Sequence, residues 1–223
     1  MEKPENRPLF AVPIMDEKNA VSKAREAMAK GAELVEFRLD YMENPFIEAL
    51  VNPEFPAIIT NRVVREGGKI AVDENVRTAR LQKAIDLSAA YIDIELNNFY
   101  KFDRKNSKTG IIVSYHNFNE TPSFENLQKI YDKIVSQGAD VVKIVTMAKE
   151  EDDCMGIMDL VRDANIPTIG MCMGEYGVFT RYNKKNYIAY CALNKSECSA
   201  PGQFTLDHMI KHFKQVEENH KGK

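Results

Sequence analysis

Residues 33–40 read ELVEFRLD, and the two faces of this short run differ in chemistry. Successive side chains of a β-strand point to opposite faces. Val35 and Phe37 therefore share one face, which helices can cover. Glu36 and Arg38 share the other face, which needs a polar compartment on the far side of the sheet.

The same alternation recurs along the chain. Asp93 and Glu95 alternate with isoleucines in one run, and Ser114 and His116 share a face in the next. Short β-branched runs predict eight strands, spaced so that each interval can hold a strand and its crossover. The predicted strands begin at Pro8, Glu33, Ala57, Tyr91, Gly110, Asp140, Pro167 and Ile188.

Helical periodicity lies between most of these strands. Thr121 and Pro122 predict an N-cap and a first helical residue for one helix. The strongest helical stretches are residues 17–30, 73–89, 150–164 and 204–217, with weaker ones at 98–106 and 174–186.

Eight strand–helix units predict a (β/α)8 TIM barrel, with residues 1–223 as one domain. The competing fold is an open doubly wound sheet. Helices on both faces of such a sheet leave no place for so many inward charges. A barrel does provide one, in a polar layer at the carboxyl ends of its strands.

Composition excludes several classes of protein. The 223 residues are 44% apolar and 28% charged, which predicts a folded chain with a sizeable core. The net charge of −3 argues against nucleic acid as the main partner. The four cysteines lack zinc spacing and are interpreted as reduced thiols of a cytoplasmic protein. No signal peptide or membrane span is predicted.

Lys143 interrupts the aliphatic run of residues 139–145. Burying an ammonium is unfavourable unless it is paired or neutralised, and a desolvated lysine is a nucleophile toward carbonyl groups. The alternative is a structural ion pair with Glu95 or Asp93. His116 ends the preceding strand and is either a general acid/base or a hydrogen-bonded bystander.

Three arginines follow strand ends: Arg62, Arg65 and Arg181. The guanidinium fork matches a carboxylate or a phosphate, so these residues favour an anionic ligand. The alternative is surface salt bridges, which suits Arg65 better than Arg62.

Other residues near the predicted mouth have two interpretations each. Residues 199–203 form either a lid or an ordinary turn. Met173 is expected in an apolar wall. Asp93, Glu95 and Glu36 could hold a divalent metal, although the surrounding cations oppose it.

Seven segments, in order over almost the whole chain, resemble the type I 3-dehydroquinate dehydratase family. They are EFRLD at 36–40, TNR at 60–62 with EGG at 66–68, DIEL at 93–96, SYHNF at 114–118 with TP at 121–122, DVVKI at 140–144, MCMG at 171–174 with Gly177 and TR at 180–181, and SAPGQ at 199–203.

The resemblance implies a (β/α)8 barrel, usually a homodimer, that dehydrates 3-dehydroquinate to 3-dehydroshikimate without metal or cofactor. It implies that Lys143 forms a Schiff base and that His116 transfers protons. Glu66 would orient His116 and tune its charge.

The resemblance also implies a set of substrate-binding residues: Glu36, Arg38, Arg62, Met173, Arg181, Ser199 and Gln203. The chain departs from the family in three places. Pro13 stands where a substrate-contacting serine is common, and Thr180 replaces a serine. Residues 188–193 lack the usual glycine-serine and phenylalanine pattern.

Three other functions compete with this interpretation. A class I aldolase would share Lys143 but has less need for Glu66, His116 and the 199–203 loop. A metal-assisted barrel enzyme would use the carboxylates. A protein that only binds a carboxylated polyol needs no nucleophile beside a base.

Overall fold

The computed structural model describes residues 2–104, 107–200 and 202–221, with the side chains of residues 220 and 221 excluded. Eight parallel strands form one sheet, and each predicted strand is confirmed with its start within one residue. The strands are β1 (Leu9–Ile14), β2 (Leu34–Arg38), β3 (Ala57–Thr60), β4 (Tyr91–Glu95), β5 (Gly110–Asn117), β6 (Val141–Met147), β7 (Thr168–Met173) and β8 (Ile188–Tyr190).

Helices cover the outside of the sheet. They are α1 (Ala20–Ala29), α2 (Ile47–Leu50), α3 (Glu74–Asp86), α4 (Phe124–Ser136), α5 (Asp152–Asp163) and α6 (Leu206–Lys221). The stronger helical predictions are confirmed. Where residues are described, the weaker stretches 98–106 and 174–186 hold no α-helix, and the second forms a 3₁₀ helix at Val178–Tyr182. Within the described ranges, no helix is long and apolar enough to cross a bilayer.

The predicted start of α4 is wrong. The helix begins at Phe124, with Ser123 in the N-cap position. Thr121 Oγ1 instead lies 2.9 Å from both Thr146 Oγ1 and the Met147 carbonyl oxygen. Its hydroxyl fastens the loop after β5 to the end of β6, so it does not cap the helix.

Side-chain alternation divides the strands into two layers, as predicted. Val35 and Phe37 are fully buried on the outer, helix-covered side. Leu34 faces inward with Ile58, and such residues fill the lower barrel with apolar atoms. Above this floor, Glu36 and other buried polar side chains point into the ring. The inward charges therefore occupy the polar upper layer that a barrel provides.

Closure of the barrel is uneven. The strand order runs β7-β6-β5-β4-β3-β2-β1-β8, so β7 and β8 stand at its two ends. Two described hydrogen bonds cross the remaining gap, which we call the seam. The Tyr187 amide donates to the Thr168 carbonyl oxygen at 2.8 Å, and the Gly170 amide donates to Asn186 Oδ1 at 2.8 Å.

Gly170 sets the distance between β7 and α5. A Cβ at this position would lie 2.4 Å from Val161 Cγ2 and 3.0 Å from Ile157 Cγ2. We expect Gly170→Ala to lower the free energy of unfolding by about 1–3 kcal/mol, because overpacking displaces neighbouring side chains. Urea denaturation measures this change.

Gly156 provides the matched control within α5. Its Cβ would make an ordinary contact, 3.4 Å from Leu127 Cδ1. Gly156→Ala should leave stability unchanged or raise it by up to about 1 kcal/mol, since alanine favours the helix. Equal effects of the two substitutions would contradict the packing argument.

Candidate active site

The carboxyl ends of the strands surround a cavity of about 150 Å³. Every catalytic and substrate-binding residue that the family resemblance implied lines this cavity, whereas Arg65, Asp93 and Glu95 do not. The lining includes Glu36, Arg38, Arg62, Glu66, His116, Lys143, Met173, Arg181, Ser199 and Gln203. The structure therefore brings together groups that are up to 167 residues apart in the chain (203 − 36).

Lys143 lies on β6 and is 6% exposed. Its Nζ donates to Asp93 Oδ2 at 2.9 Å and lies 3.9 Å from Glu36 Oε1. The predicted ion pair with Glu95 or Asp93 is therefore present, and Asp93 is the partner, while Glu95 pairs with two arginines. The amine nevertheless lines the cavity, where a ligand can reach it.

The Lys143–Asp93 pair ends a longer row of buried charges. Arg62 joins Asp93 Oδ2 at 2.8 Å to Glu95 Oε1 at 3.0 Å. Arg77, on α3, contacts Glu95 Oε2 at 2.7 Å from outside the strands. We call these five residues the charge row. Each carboxylate in it lies between two cations, which makes the burial of all five tolerable.

Asp93 stays ionised within this row. Burial alone would raise the pKa of its carboxyl group, but the Arg62 and Lys143 charges outweigh burial and hold the pKa well below its usual range. Ser114 Oγ also donates to Asp93 Oδ1 at 2.6 Å. The cavity thus keeps one fixed negative charge beside the Lys143 amine.

His116 is coupled to Glu66. The backbone amide and the ring Nδ1 of His116 each lie 3.1 Å from Glu66 Oε2. Burial, followed by the charges of Arg62 and Lys143, lowers the pKa of His116 well below 6.5. The imidazole is therefore neutral at pH 7. With Nδ1 held by Glu66, Nε2 is the atom that can act on a ligand.

Burial shifts the pKa of Glu66 in the direction opposite to the shift at His116. Desolvation raises the pKa of its carboxyl group to about 7, against the lowering effect of Arg62. A carboxyl group with this pKa exchanges a proton near neutral pH. Glu66 therefore holds the ring of His116 and can itself gain or lose a proton near neutral pH.

Phe118 covers this pair from the solvent side. Its ring stacks on the His116 ring, with centroids 6.5 Å apart. It also packs on Gly67, where a Cβ would lie 2.7 Å from Phe118 Cζ. Gly67 has a φ of +87°, so both its conformation and this contact require glycine.

Arg38 is held at the rim by a two-pronged ion pair. Its Nε and Nη2 contact the two carboxylate oxygens of Asp40 at 2.8 and 2.7 Å. Asp40 is itself 1% exposed. Arg38 thus faces the cavity in a fixed position.

Arg181 belongs to the Val178–Tyr182 segment after β7 and is 6% exposed. Its Nη1 lies 3.9 Å from Met171 Sδ, and burial lowers its pKa. A guanidinium remains charged despite such a shift. Burial in a medium of low dielectric constant strengthens its attraction for an anion.

The loop after β8 is fastened at the cavity rim. The Ser199 amide and hydroxyl both donate to Gln203 Oε1, at 2.7 and 3.2 Å. Gln203 Nε2 donates to the Tyr190 carbonyl oxygen at 3.2 Å. The loop is therefore a closed turn that also lines the cavity. Pro201, within this segment, lies outside the described residues.

The predicted metal alternative finds no support in the geometry. Glu36 accepts a hydrogen bond from Thr60 at 2.8 Å, and Asp93 and Glu95 are engaged by cations. Among the described residues, no group of three or more histidine, cysteine, aspartate or glutamate side chains is arranged to hold a metal.

Sequence reasoning missed two residues of consequence. Tyr190 faces inward by the same alternation from Ile188 that revealed Lys143, and its ring centroid lies 4.3 Å from Lys143 Nζ. Arg77 stands one helical turn before Leu81 on the buried face of α3. The strand alternation at Tyr190 and the helical spacing at Arg77 are the sequence signals that could have identified these residues.

The whole described barrel matches one family. The model of the type I 3-dehydroquinase family matches residues 10–220. The 3-dehydroquinate dehydratase of Methanocaldococcus jannaschii is 34% identical over 209 residues, which cover 89% of this chain and 94% of that protein.

Two further relatives differ in what they show. The chloroplastic bifunctional 3-dehydroquinate dehydratase/shikimate dehydrogenase of Arabidopsis thaliana is 35% identical over 92% of this chain, but the chain spans only 36% of that protein. A crystal structure of a type I 3-dehydroquinate dehydratase from Clostridium difficile superposes with a TM-score of 0.84 at 23% identity, covering 96% of this chain and 94% of that one. This likeness shows the fold.

The outer end of the charge row should contribute strongly to stability. We expect Arg77→Met to lower the free energy of unfolding by about 3–5 kcal/mol, because it leaves the buried Glu95 with one cation fewer. Arg104→Met is the control, since it removes a partly exposed ion pair with Asp140 and should cost at most about 1 kcal/mol. Similar losses in urea denaturation would contradict this role for Arg77.

Glu66 should make stability depend on pH. Its pKa of about 7 in the folded protein exceeds the ordinary value of 4.5. The folded state therefore binds more protons between these values, and its stability falls as pH rises through this window. Glu66→Gln cannot ionise. Its free energy of unfolding relative to wild type should rise by about 1–3 kcal/mol between pH 5 and pH 8.

The titration of His116 changes stability with pH in the opposite direction. The effect of Glu66 is therefore measured in a background that lacks this histidine. The pKa of His116 is lowered, so stability falls as pH drops below about 6.5. Comparing His116→Asn with the double variant Glu66→Gln/His116→Asn isolates Glu66. A difference that does not change with pH would refute the raised pKa.

Proposed function

Because this chain belongs to the type I 3-dehydroquinase family, we propose that it converts 3-dehydroquinate to 3-dehydroshikimate and water, the third step of the shikimate pathway. One observation carries the proposal. The buried amine of Lys143 and the neutral imidazole of His116 face the same cavity from adjacent strands. A nucleophile beside a base, surrounded by arginines, suits an anionic keto substrate.

The reaction begins at Lys143. Its Nζ, after giving up a proton, attacks the ketone carbon, and the ketone oxygen leaves as water to form an iminium. The iminium withdraws electrons from the neighbouring methylene more strongly than the ketone does. Covalent attachment thus divides a difficult elimination into easier steps.

His116 carries out both proton transfers. Its neutral imidazole removes a proton from the methylene carbon, and the iminium becomes an enamine. The enamine then expels the β-hydroxyl, which takes the proton from His116 and leaves as water. Hydrolysis of the resulting conjugated iminium consumes one water and returns Lys143 as an amine.

Glu66 and the arginines position these reacting groups. Glu66 holds Nδ1 of His116 and so directs Nε2 toward the substrate. We assign the substrate carboxylate to Arg181, a buried guanidinium that lines the cavity. Glu36, Arg38 and Arg62 contact the ring hydroxyls, Met173 forms part of the wall, and Ser199 and Gln203 close over the ring.

We also propose that the protein is a cytoplasmic homodimer that needs no cofactor. The family resemblance is the support for these points. Light scattering on the purified chain would test the assembly, with twice the chain mass of 25.4 kDa expected.

Borohydride reduction tests the covalent step. With 3-dehydroquinate present, we expect a stable adduct on the peptide that contains Lys143, and growth of 3-dehydroshikimate absorbance before reduction. Lys143→Met should lose the adduct and lower turnover by at least about 10³-fold, because no amine remains to form the iminium.

An exposed lysine provides the control for this experiment. Lys129→Met, at a surface ion pair on α4, should keep both adduct and turnover. Product formation without any adduct would refute the covalent mechanism alone. Absence of both product and adduct in the folded wild-type protein would refute the proposed reaction.

A further inference from the structure

Tyr190 is a buried residue of the cavity that the proposed mechanism leaves without a role. It ends β8, is 8% exposed, and lines the same cavity as Lys143 and Glu36. Its ring centroid lies 4.3 Å from Lys143 Nζ. The ring face therefore lies next to the atom at which a Schiff base would form.

The hydroxyl of Tyr190 is unusual among the buried tyrosines that the structure describes. Tyr91 and Tyr187 share a hydrogen bond at 2.7 Å, and the Tyr131 hydroxyl accepts one from the Asn165 amide at 3.0 Å. Tyr190 Oη is buried and has no hydrogen-bond partner among the described residues. Buried polar groups are nearly always hydrogen-bonded, so this atom calls for an explanation.

The environment keeps this hydroxyl protonated. Burial, and then the negative charges of Glu36 and Asp93, raise the pKa of Tyr190 well above 10. At neutral pH the group is thus a donor that needs an acceptor. Asp93 is already engaged by Ser114, Arg62 and Lys143.

A ligand bound to Lys143 would supply that acceptor. Because the ring borders that nitrogen, we consider the substrate oxygens that lie next to the carbon attached to Nζ. In 3-dehydroquinate, one neighbour of the ketone carbon is a methylene and the other carries a hydroxyl. Only the second neighbour offers an oxygen.

We propose that Tyr190 Oη donates a hydrogen bond to the substrate hydroxyl on the carbon next to the ketone, and so acts as a specificity-determining residue. This assignment rests on the proposed function. The same hydroxyl can donate its own proton to Glu36, which lines the same cavity as Tyr190. An oxygen with a donor on one side and a carboxylate on the other is recognised as a hydroxyl.

The ring and the hydroxyl of Tyr190 then have separate roles. The ring face lies against the cation on Nζ, a contact that aromatic rings favour. The hydroxyl selects the substituent beside it. Tyr190→Phe removes the second contribution and keeps the first.

The test compares Tyr190→Phe with wild type on two ligands. One is 3-dehydroquinate, and the other is its analogue that lacks the hydroxyl next to the ketone, measured by its inhibition constant against 3-dehydroquinate. We expect the variant to raise KM for 3-dehydroquinate by about 3- to 10-fold and to change kcat less. Its inhibition constant for the analogue should equal that of wild type.

Thermal unfolding distinguishes this role from a structural one. The Tyr190 hydroxyl has no hydrogen-bond partner within the described part of the chain, so Tyr190→Phe should have a Tm equal to or above that of wild type. Tyr131→Phe is the matched control, since it removes a hydroxyl that does accept a hydrogen bond. It should lower Tm and leave KM unchanged.

Three results would overturn the inference. An unchanged KM with a lowered Tm in Tyr190→Phe would make the hydroxyl structural. An equal loss of affinity for both ligands would place its partner elsewhere on the substrate. If wild type neither turns over 3-dehydroquinate nor forms the adduct, the proposed function fails and this inference fails with it.

Discussion

The burial of Lys143 is the constraint on which the rest of the site depends. An ammonium inside a barrel is tolerated only with a fixed counter-charge, and Asp93 provides it at 2.9 Å. Asp93 in turn requires Arg62, and Glu95 links Arg62 to Arg77 on the outer helix layer. The ion pairs of the charge row therefore connect the buried amine in the cavity to Arg77 on α3. Removing any member leaves a buried charge short of a partner, so the row behaves as a unit.

The two catalytic candidates have different charged neighbours. Lys143 lies against a carboxylate that stays ionised, whereas His116 faces cations on the cavity side and loses its proton. The pKa of Glu66, raised to about 7, lets its carboxyl group take up or release a proton at neutral pH while it holds the His116 ring. Arg62 contributes to both environments, because it pairs with the Asp93 carboxylate beside Lys143 and, after burial, is the charge that most lowers the pKa of His116.

Side-chain alternation predicted the strands and the inward charges because the two faces of each strand differ so sharply. The start of α4 was predicted wrongly because the Thr121 hydroxyl is hydrogen-bonded to Thr146, 25 residues further along the chain. A pattern in the local sequence does not indicate such a contact. The region after β7 forms the 3₁₀ helix Val178–Tyr182 in place of the predicted longer helix, and Arg181 is buried within it. Tyr190 was missed for another reason: alternation places it inward, but an inward aromatic at a strand end is ordinarily core, and its oxygen without a partner among the described residues is visible only in the structure.

Among the described residues, the seam is the place where two neighbouring strands are joined most weakly. Separating other neighbouring strands would break a ladder of hydrogen bonds, whereas separating β7 from β8 breaks the two described bonds from Tyr187 and Gly170. The segment that carries Arg181 follows one side of the seam, and the turn that carries Ser199 follows the other. The separation of these two cavity-lining segments therefore depends on the few bonds across the seam, while the opposite wall of the cavity is held by continuous strand pairing.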